Sequence, residues 1–135
     1  MSGLPIFDVA GSALAAQSVR LNTVASNLAN ADSTSGDPSK VYRAREPVFA
    51  AYQTGADPSL AGVQVLRVEE SQAPPVKRYE PGNPAADAQG YVYAPDIDPV
   101  AQLVNMISAS RAYQADVEML NTAKELALST LNIGR

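Results

Sequence analysis

Three pairs of carboxylates stand close enough in the sequence to be tested as acid/base couples: Glu69 with Glu70, Asp96 with Asp98, and Asp116 with Glu118. Such a couple needs both groups on one side of the backbone, one protonated while the other stays ionised. Neighbours along a strand point to opposite faces, so Glu69 and Glu70 diverge if the run Val63 to Val68 continues through them. Asp98 precedes Pro99 and reads as a helix cap, its carboxylate accepting from the free amides of the first turn while proline takes a position that needs no donor. Asp116 and Glu118, two apart on a helix, do not face each other. The chain has no histidine and no cysteine, which removes disulfides, thiol nucleophiles, ordinary zinc sites and every histidine-dependent triad. No phosphate-cradling glycine loop is present. Neither catalysis nor a metal or cofactor is expected.

Arg111, Tyr113 and Gln114 are the other chemically capable group. They interrupt or border apolar rows of a helix. An anion site would use such residues, but a polar residue inside an apolar seam more often fixes register between helices. Arg111 and Glu118 lie one heptad apart, and each can pair with another chain. The expected role is an interface.

The element that must carry these residues is a helix from Pro99 to Ile133. It has no proline or glycine after Pro99 as far as Leu131, and Gly134 supplies its stop. Leu103, Met106, Ser110, Tyr113, Val117, Leu120, Lys124, Ala127 and Leu131 fall on heptad spacing, the pattern of a coiled-coil seam. Val100, Val104, Ile107, Ala115, Met119 and Leu126 form a second apolar row on another side. One partner cannot cover both rows. At 1.5 Å per residue such a helix runs roughly 50 Å, beyond the ~37 Å diameter of a compact chain of this length. A projecting helix with two apolar rows calls for neighbours from other chains.

The first segment, Leu4 to Ala29, follows the same logic. Phe7, Ala10, Leu14, Gln17, Leu21, Val24, Leu28 and Ala31 share heptad spacing, and the small residues between them allow close helix approach. Asn30 to Pro38 is rich in turn formers, with Asn30 a candidate for a left-handed cap and Asp32 or Ser33 able to bond back to the backbone. The middle has a period of two. Tyr42 to Glu46, Pro47 to Tyr52, Val63 to Val68, Val76 to Tyr79 and Tyr91 to Tyr93 read as short strands. Pro47 places its strand at an edge or breaks it, and Pro81-Gly82 suits a type II turn. The expected fold is α+β: residues 1–31 and 98–135 form a discontinuous terminal domain, two long helices paired antiparallel as a coiled coil, and residues 32–97 form a β-rich insert with extended loops.

Composition limits the partners. With 46% hydrophobic and 18% charged residues the chain can bury only a modest core, and a net charge of −4 gives no electrostatic case for nucleic acid. No run of about 18 apolar residues would span a membrane. No basic stretch precedes an apolar run before Arg20, so no cleavable Sec-type signal is expected. Residues 1 to 30 carry only Asp8 and Arg20 as charges. A helix so poor in charge is not built for water.

Two long signatures resemble one family. Ala10-Gly11-Ser12-Ala13-Leu14-Ala15-Ala16-Gln17, Arg20-Leu21-Asn22 and Ala25-Ser26-Asn27-Leu28-Ala29-Asn30-Ala31-Asp32-Ser33 are similar to the amino-terminal signature of bacterial flagellar rod and hook proteins. Val104-Asn105-Met106-Ile107, Ser108 to Ala115 and Val117-Glu118-Met119-Leu120-Asn121-Thr122 are similar to the carboxyl-terminal one. Between them Tyr42-Arg43-Ala44-Arg45, Pro74-Pro75, Tyr79-Glu80-Pro81-Gly82-Asn83-Pro84 and Asp87 to Val92 resemble the proximal-rod members.

The resemblance implies an axial subunit of the basal body, exported through the flagellar type III apparatus and polymerised in the periplasm with other copies and other rod proteins. It implies contact with the membrane-ring adaptor at the rod base, and no insertion into the membrane itself. Both helices would form the inner layer of a tube that transmits torque, with the insert outside. The subunit interface would then use Leu14, Leu21, Val24, Asn27, Leu28 and Asn30 from the first helix, and Leu103, Met106, Arg111, Tyr113, Gln114, Val117, Glu118, Leu120, Asn121 and Leu131 from the last. Asp116 stands where this family commonly has asparagine, and Thr34 to Lys40 follows its pattern loosely. The competing reading is a soluble helical adaptor or secretion chaperone in a closed oligomer, which explains two apolar rows but not the near-uncharged first helix.

Overall fold

The computed structural model describes residues 5–53 and 57–135. Helix α1 spans Pro5–Asn30 and helix α2 spans Pro99–Ile133. Both ends of α2 follow from the sequence. Asp98 is its N-cap, its carboxylate accepting from the Val100 amide at 2.9 Å, and Gly134 closes the other end by donating to the Thr130 carbonyl. Pro5 opens α1; Leu4, the expected first residue, lies outside the described residues.

Between the helices run β1 (Arg45–Gln53), β2 (Ala61–Glu70), β3 (Val76–Tyr79) and β4 (Tyr91–Ala94). They form two separate antiparallel pairs, β1 with β2 and β3 with β4. Pro47 sits inside β1 opposite Val68 and does not break it. In a two-stranded ribbon its missing N–H can face the open edge. A register shift follows at Val48/Phe49. The expected strand Tyr42 to Glu46 is only the beginning of β1, with Tyr42 left in the approach loop.

Two local expectations are corrected. Among the described residues no side-chain-bearing residue has positive φ, so Asn30 does not adopt the left-handed cap. Its amide instead donates to the Ser26 carbonyl, and its own carbonyl accepts from the Ser33 amide and hydroxyl. Gly82 likewise avoids positive φ, so the Glu80–Asn83 turn is not type II. The left-handed position falls at Gly90, φ 84°, where the chain enters β4. Gly36 is required for a different reason: a Cβ there would stand 2.6 Å from the Ala85 carbonyl oxygen. That close approach ties the loop after α1 to the β3–β4 ribbon, and the Ser35 and Tyr93 backbones exchange two hydrogen bonds beside it.

α1 is the centre of the molecule, packed on α2 along one side and on the β1–β2 ribbon along another. Its neighbours fix the direction of α2: Asn27 meets Gln102 and Arg20 meets Asn105, while Ile6 borders one cleft with Ala123, Leu126 and Ala127. The helices therefore run antiparallel. The buried apolar set is small, comprising Ala10, Ala16, Val24, Ala31, Val92, Ala94 and Ala109. Total accessible surface is 8861 Å², against about 6,800 Å² for a compact monomer of this mass. The excess is the signature of an elongated chain whose helices have more surface to cover than one copy can cover.

Candidate assembly surfaces and the joint that holds them

The joint is built on Asn27, an amide that is 1% exposed on α1. Its carbonyl oxygen accepts from the Arg45 amide at 2.8 Å and from the Tyr42 hydroxyl at 3.0 Å. Its amide nitrogen donates to the Arg45 carbonyl at 2.9 Å and to the Gln102 side chain at 3.3 Å. One side chain thus satisfies both backbone groups of Arg45 at the start of β1 and reaches α2. Because the single Tyr42 hydroxyl hydrogen goes to Asn27, Ser26 must be the donor in its 2.9 Å contact with Tyr42. Two helical turns earlier on α1 the Arg20 guanidinium grips the Asn105 side-chain oxygen through two nitrogens. Further along α1, the Ser12 hydroxyl donates to the Val9 carbonyl and accepts from the Val63 amide of β2. A buried amide with all its capacity used fixes geometry, since any shift leaves polar groups without partners.

The positions of α2 that α1 covers form one stripe: Gln102, Asn105, Ala109, Ala112, Asp116, Leu120, Ala123 and Ala127. This stripe shares Leu120 and Ala127 with the seam marked by heptad spacing, and Met106 and Ser110 of that seam are half-buried at its edge, but its centre is a row beside the seam and half of it is alanine. Small side chains let the two backbones approach, and the bulky rows turn outward. The expected interface residues consequently divide. On α1, Val24 and Asn27 are buried and Leu14, Leu21, Leu28 and Asn30 half-buried within the chain itself. On α2, Met106 and Leu120 are half-buried, whereas Leu103, Arg111, Tyr113, Gln114, Val117, Glu118, Asn121 and Leu131 are exposed. The sequence reading missed Tyr42, Arg45, Gln102 and Asn105 as partners of the joint. An amide one turn from Val24 on an apolar row was the available signal, since such a group must find donors and acceptors somewhere.

The acid pairs do not form couples. Glu69 bonds Arg67, Glu70 lies 3.4 Å from Arg45, and Asp98 caps α2. These acids, with Glu46 and Asp96, border a cavity of about 350 Å³, but three of the five are already engaged. Asp116 is half-buried under α1, and this burial raises its carboxyl above the usual range.

An extended helix pair joined by a polar knot, carrying bulky rows that its own fold leaves bare, is the design of an assembly subunit. Residues 7–36 match the family described as flagella basal body rod protein, and residues 88–133 match that described as flagellar basal body rod FlgEFG protein C-terminal. The two terminal helices are thus of the flagellar axial class. Over its full length the chain is similar to the flagellar basal-body rod protein FlgC of Salmonella typhimurium, 57% identical over 137 residues and covering 100% of both chains. It is 53% identical over 136 residues to that of Yersinia enterocolitica, again 100% of both, and 42% identical over 120 residues to that of Aquifex aeolicus, 88% of this chain and 87% of the other. The chain belongs to the FlgC family of flagellar basal-body rod proteins.

Proposed function

We propose that this chain is a structural subunit of the proximal part of the flagellar rod, polymerising through its terminal helices into a tubular shaft that carries torque. The observation that supports this most directly is the bare bulky surface of α2 in a chain similar along its entire length to FlgC rod proteins. In this reading residues 1–31 and 98–135 make the inner, coiled-coil layer, and the insert 32–97 lies outside it. The exposed residues Leu103, Arg111, Tyr113, Gln114, Val117, Glu118, Asn121 and Leu131 are the contacts to neighbouring subunits. Met106 and Leu120 border both α1 and those neighbours. Partners are other copies, other rod proteins and the membrane-ring adaptor at the rod base, and delivery to the periplasm is through the flagellar type III export apparatus. A stiff shaft needs helices without hinges, and neither helix contains an internal proline.

The test is electron microscopy of cell envelopes from a strain lacking this chain. Rings that remain in the membrane without a rod or anything distal to it are the expected result. Intact rods in that strain would overturn the assignment.

A further inference from the structure

One stretch of α2 is bare on the side directly opposite α1. Val100, Leu103, Val104 and Ile107 follow i, i+3, i+4, i+7 spacing and share one face. Val100 is 67%, Val104 62% and Ile107 56% exposed. The segment from Pro99 to Ser110 carries no charged residue, so this face has no ionic group to keep it in water. Elsewhere on the molecule lies a groove of about 420 Å³ between α1 and the far end of the β1–β2 ribbon. Val19 and Val68 provide its apolar walls, Asn22, Thr23 and Ser26 its α1 side, and Arg45 and Glu70 close it. Among the described residues the charges that line it, Arg45 and Glu70, form a 3.4 Å ion pair. Beside the groove the exposed line of α1 continues as Ser18, Asn22, Ala25 and Ala29, with no side chain long enough to hold a second helix away.

We propose that the Val100–Ile107 face of one copy docks into the groove between α1 and the β1–β2 ribbon of the next copy. This rests on the reading of the chain as a polymerising rod subunit, and it names the two surfaces that meet. The surfaces match in size, a bulky ridge against a groove floored by short side chains. They match in charge, since neither brings an unpaired ion into the contact. They are also different patches of the same chain, so each copy keeps a free ridge at one side and a free groove at the other. Heterologous contacts of this kind propagate from copy to copy, into a helical assembly where the rotation does not close a ring, whereas a ridge meeting its own copy would close into a dimer.

The absence of cysteine permits a direct test. Asn22→Cys and Val104→Cys are combined in one chain and each is also made alone. Basal bodies isolated from cells carrying each variant as the sole copy are oxidised and run without reductant. The double variant is expected to give a covalent ladder of dimers and higher species, and each single variant only monomer, because a disulfide needs the two Cα atoms within about 7 Å. Dimers from Val104→Cys alone would show ridge against ridge and overturn the docking. So would assembled rods whose double variant stays monomeric. Should the double variant fail to enter basal bodies, a photo-crosslinking amino acid at position 104 replaces it. Attachment to residues 19–26 or 68–70 of another copy supports the docking, and attachment elsewhere overturns it. If the unmodified chain is itself absent from basal bodies, the rod reading fails; if the chain is present and only the crosslink is missing, the docking alone fails.

Discussion

The two ends of the α1–α2 pair are held in different ways. At the end near Asn27, polar groups cross between three elements: Asn27 binds Tyr42, Arg45 and Gln102, and Arg20 binds Asn105. At the other end Ile6 of α1 and Ala123, Leu126 and Ala127 of α2 border one shallow cleft, and Leu131 and Ile133 project beyond it at 67% and 86% exposure. The first end is fixed by hydrogen bonds within one copy, although the far side of α2 there, Val100 to Ile107, stays bare. The second leaves most of its large apolar side chains bare. Hydrogen-bonded joints fix where elements sit, while bare apolar rows decide what the molecule joins.

The sharpest way to break this contrast is Asn27→Ala. It leaves the Arg45 amide and the Tyr42 hydroxyl without their acceptor in a buried site, at a cost of about 3 kcal/mol. Urea unfolding followed by circular dichroism should show the loss. Ile6→Ala, at a residue already 38% exposed, should cost about 1 kcal/mol or less. Equal effects at the two positions would refute the division.

Amide exchange on the dilute monomer sharpens the same contrast without a mutation. Segments 20–30 and 99–109 are expected to be protected about a hundredfold more than 117–133, because opening the bare end breaks few buried contacts. Uniform protection along α2 would mean that one copy stabilises the whole helix unaided. A smaller effect, about 1 kcal/mol, is expected for Tyr42→Phe, which removes the hydroxyl shared by Asn27 and Ser26 but keeps the ring. The matching removal at Tyr113, an exposed residue of α2, should leave monomer stability unchanged.

What could be read from the sequence follows the same line between local and long-range causes. The bounds of α2 were legible because Asp98, Pro99 and Gly134 act within one turn of themselves. The strands were legible from their alternation, except where Pro47 sits in a two-stranded ribbon that has an edge to spare. The turn at Gly82 was misjudged because a Pro-Gly pair permits a type II turn without compelling it. The face of α2 that meets α1 was legible from heptad spacing only in part, at Leu120 and Ala127. That pattern marks where large side chains recur, whereas α1 packs mainly on the alanine row through Ala109, Ala112, Ala123 and Ala127, which leaves most of the large side chains bare. Nor could spacing show that Asn27 would bind Arg45, since the pairing depends on where the β1–β2 ribbon docks.

Asp116 tests the seam between the two ends, and its effect is the smallest. It lies on the α1-facing row between Ala109 and Ala123, and burial raises its carboxyl above the usual value. The folded chain therefore holds this proton more tightly than the unfolded one does. The stabilisation that comes from protonation is full below the unfolded value of about 3.9 and is lost as pH rises through the raised folded value. At neutral pH the ionised carboxylate should thus destabilise the monomer slightly, and Asp116→Asn should raise the thermal midpoint at pH 7 by a small margin. The gap should close as pH falls below the unfolded value, where both chains carry a neutral group at this position. Thermal unfolding of the two proteins across that range separates the effect of this residue from the titration they share. A gap that stays constant with pH would place the carboxylate in water, and would mean that the helices part before they reach Asp116.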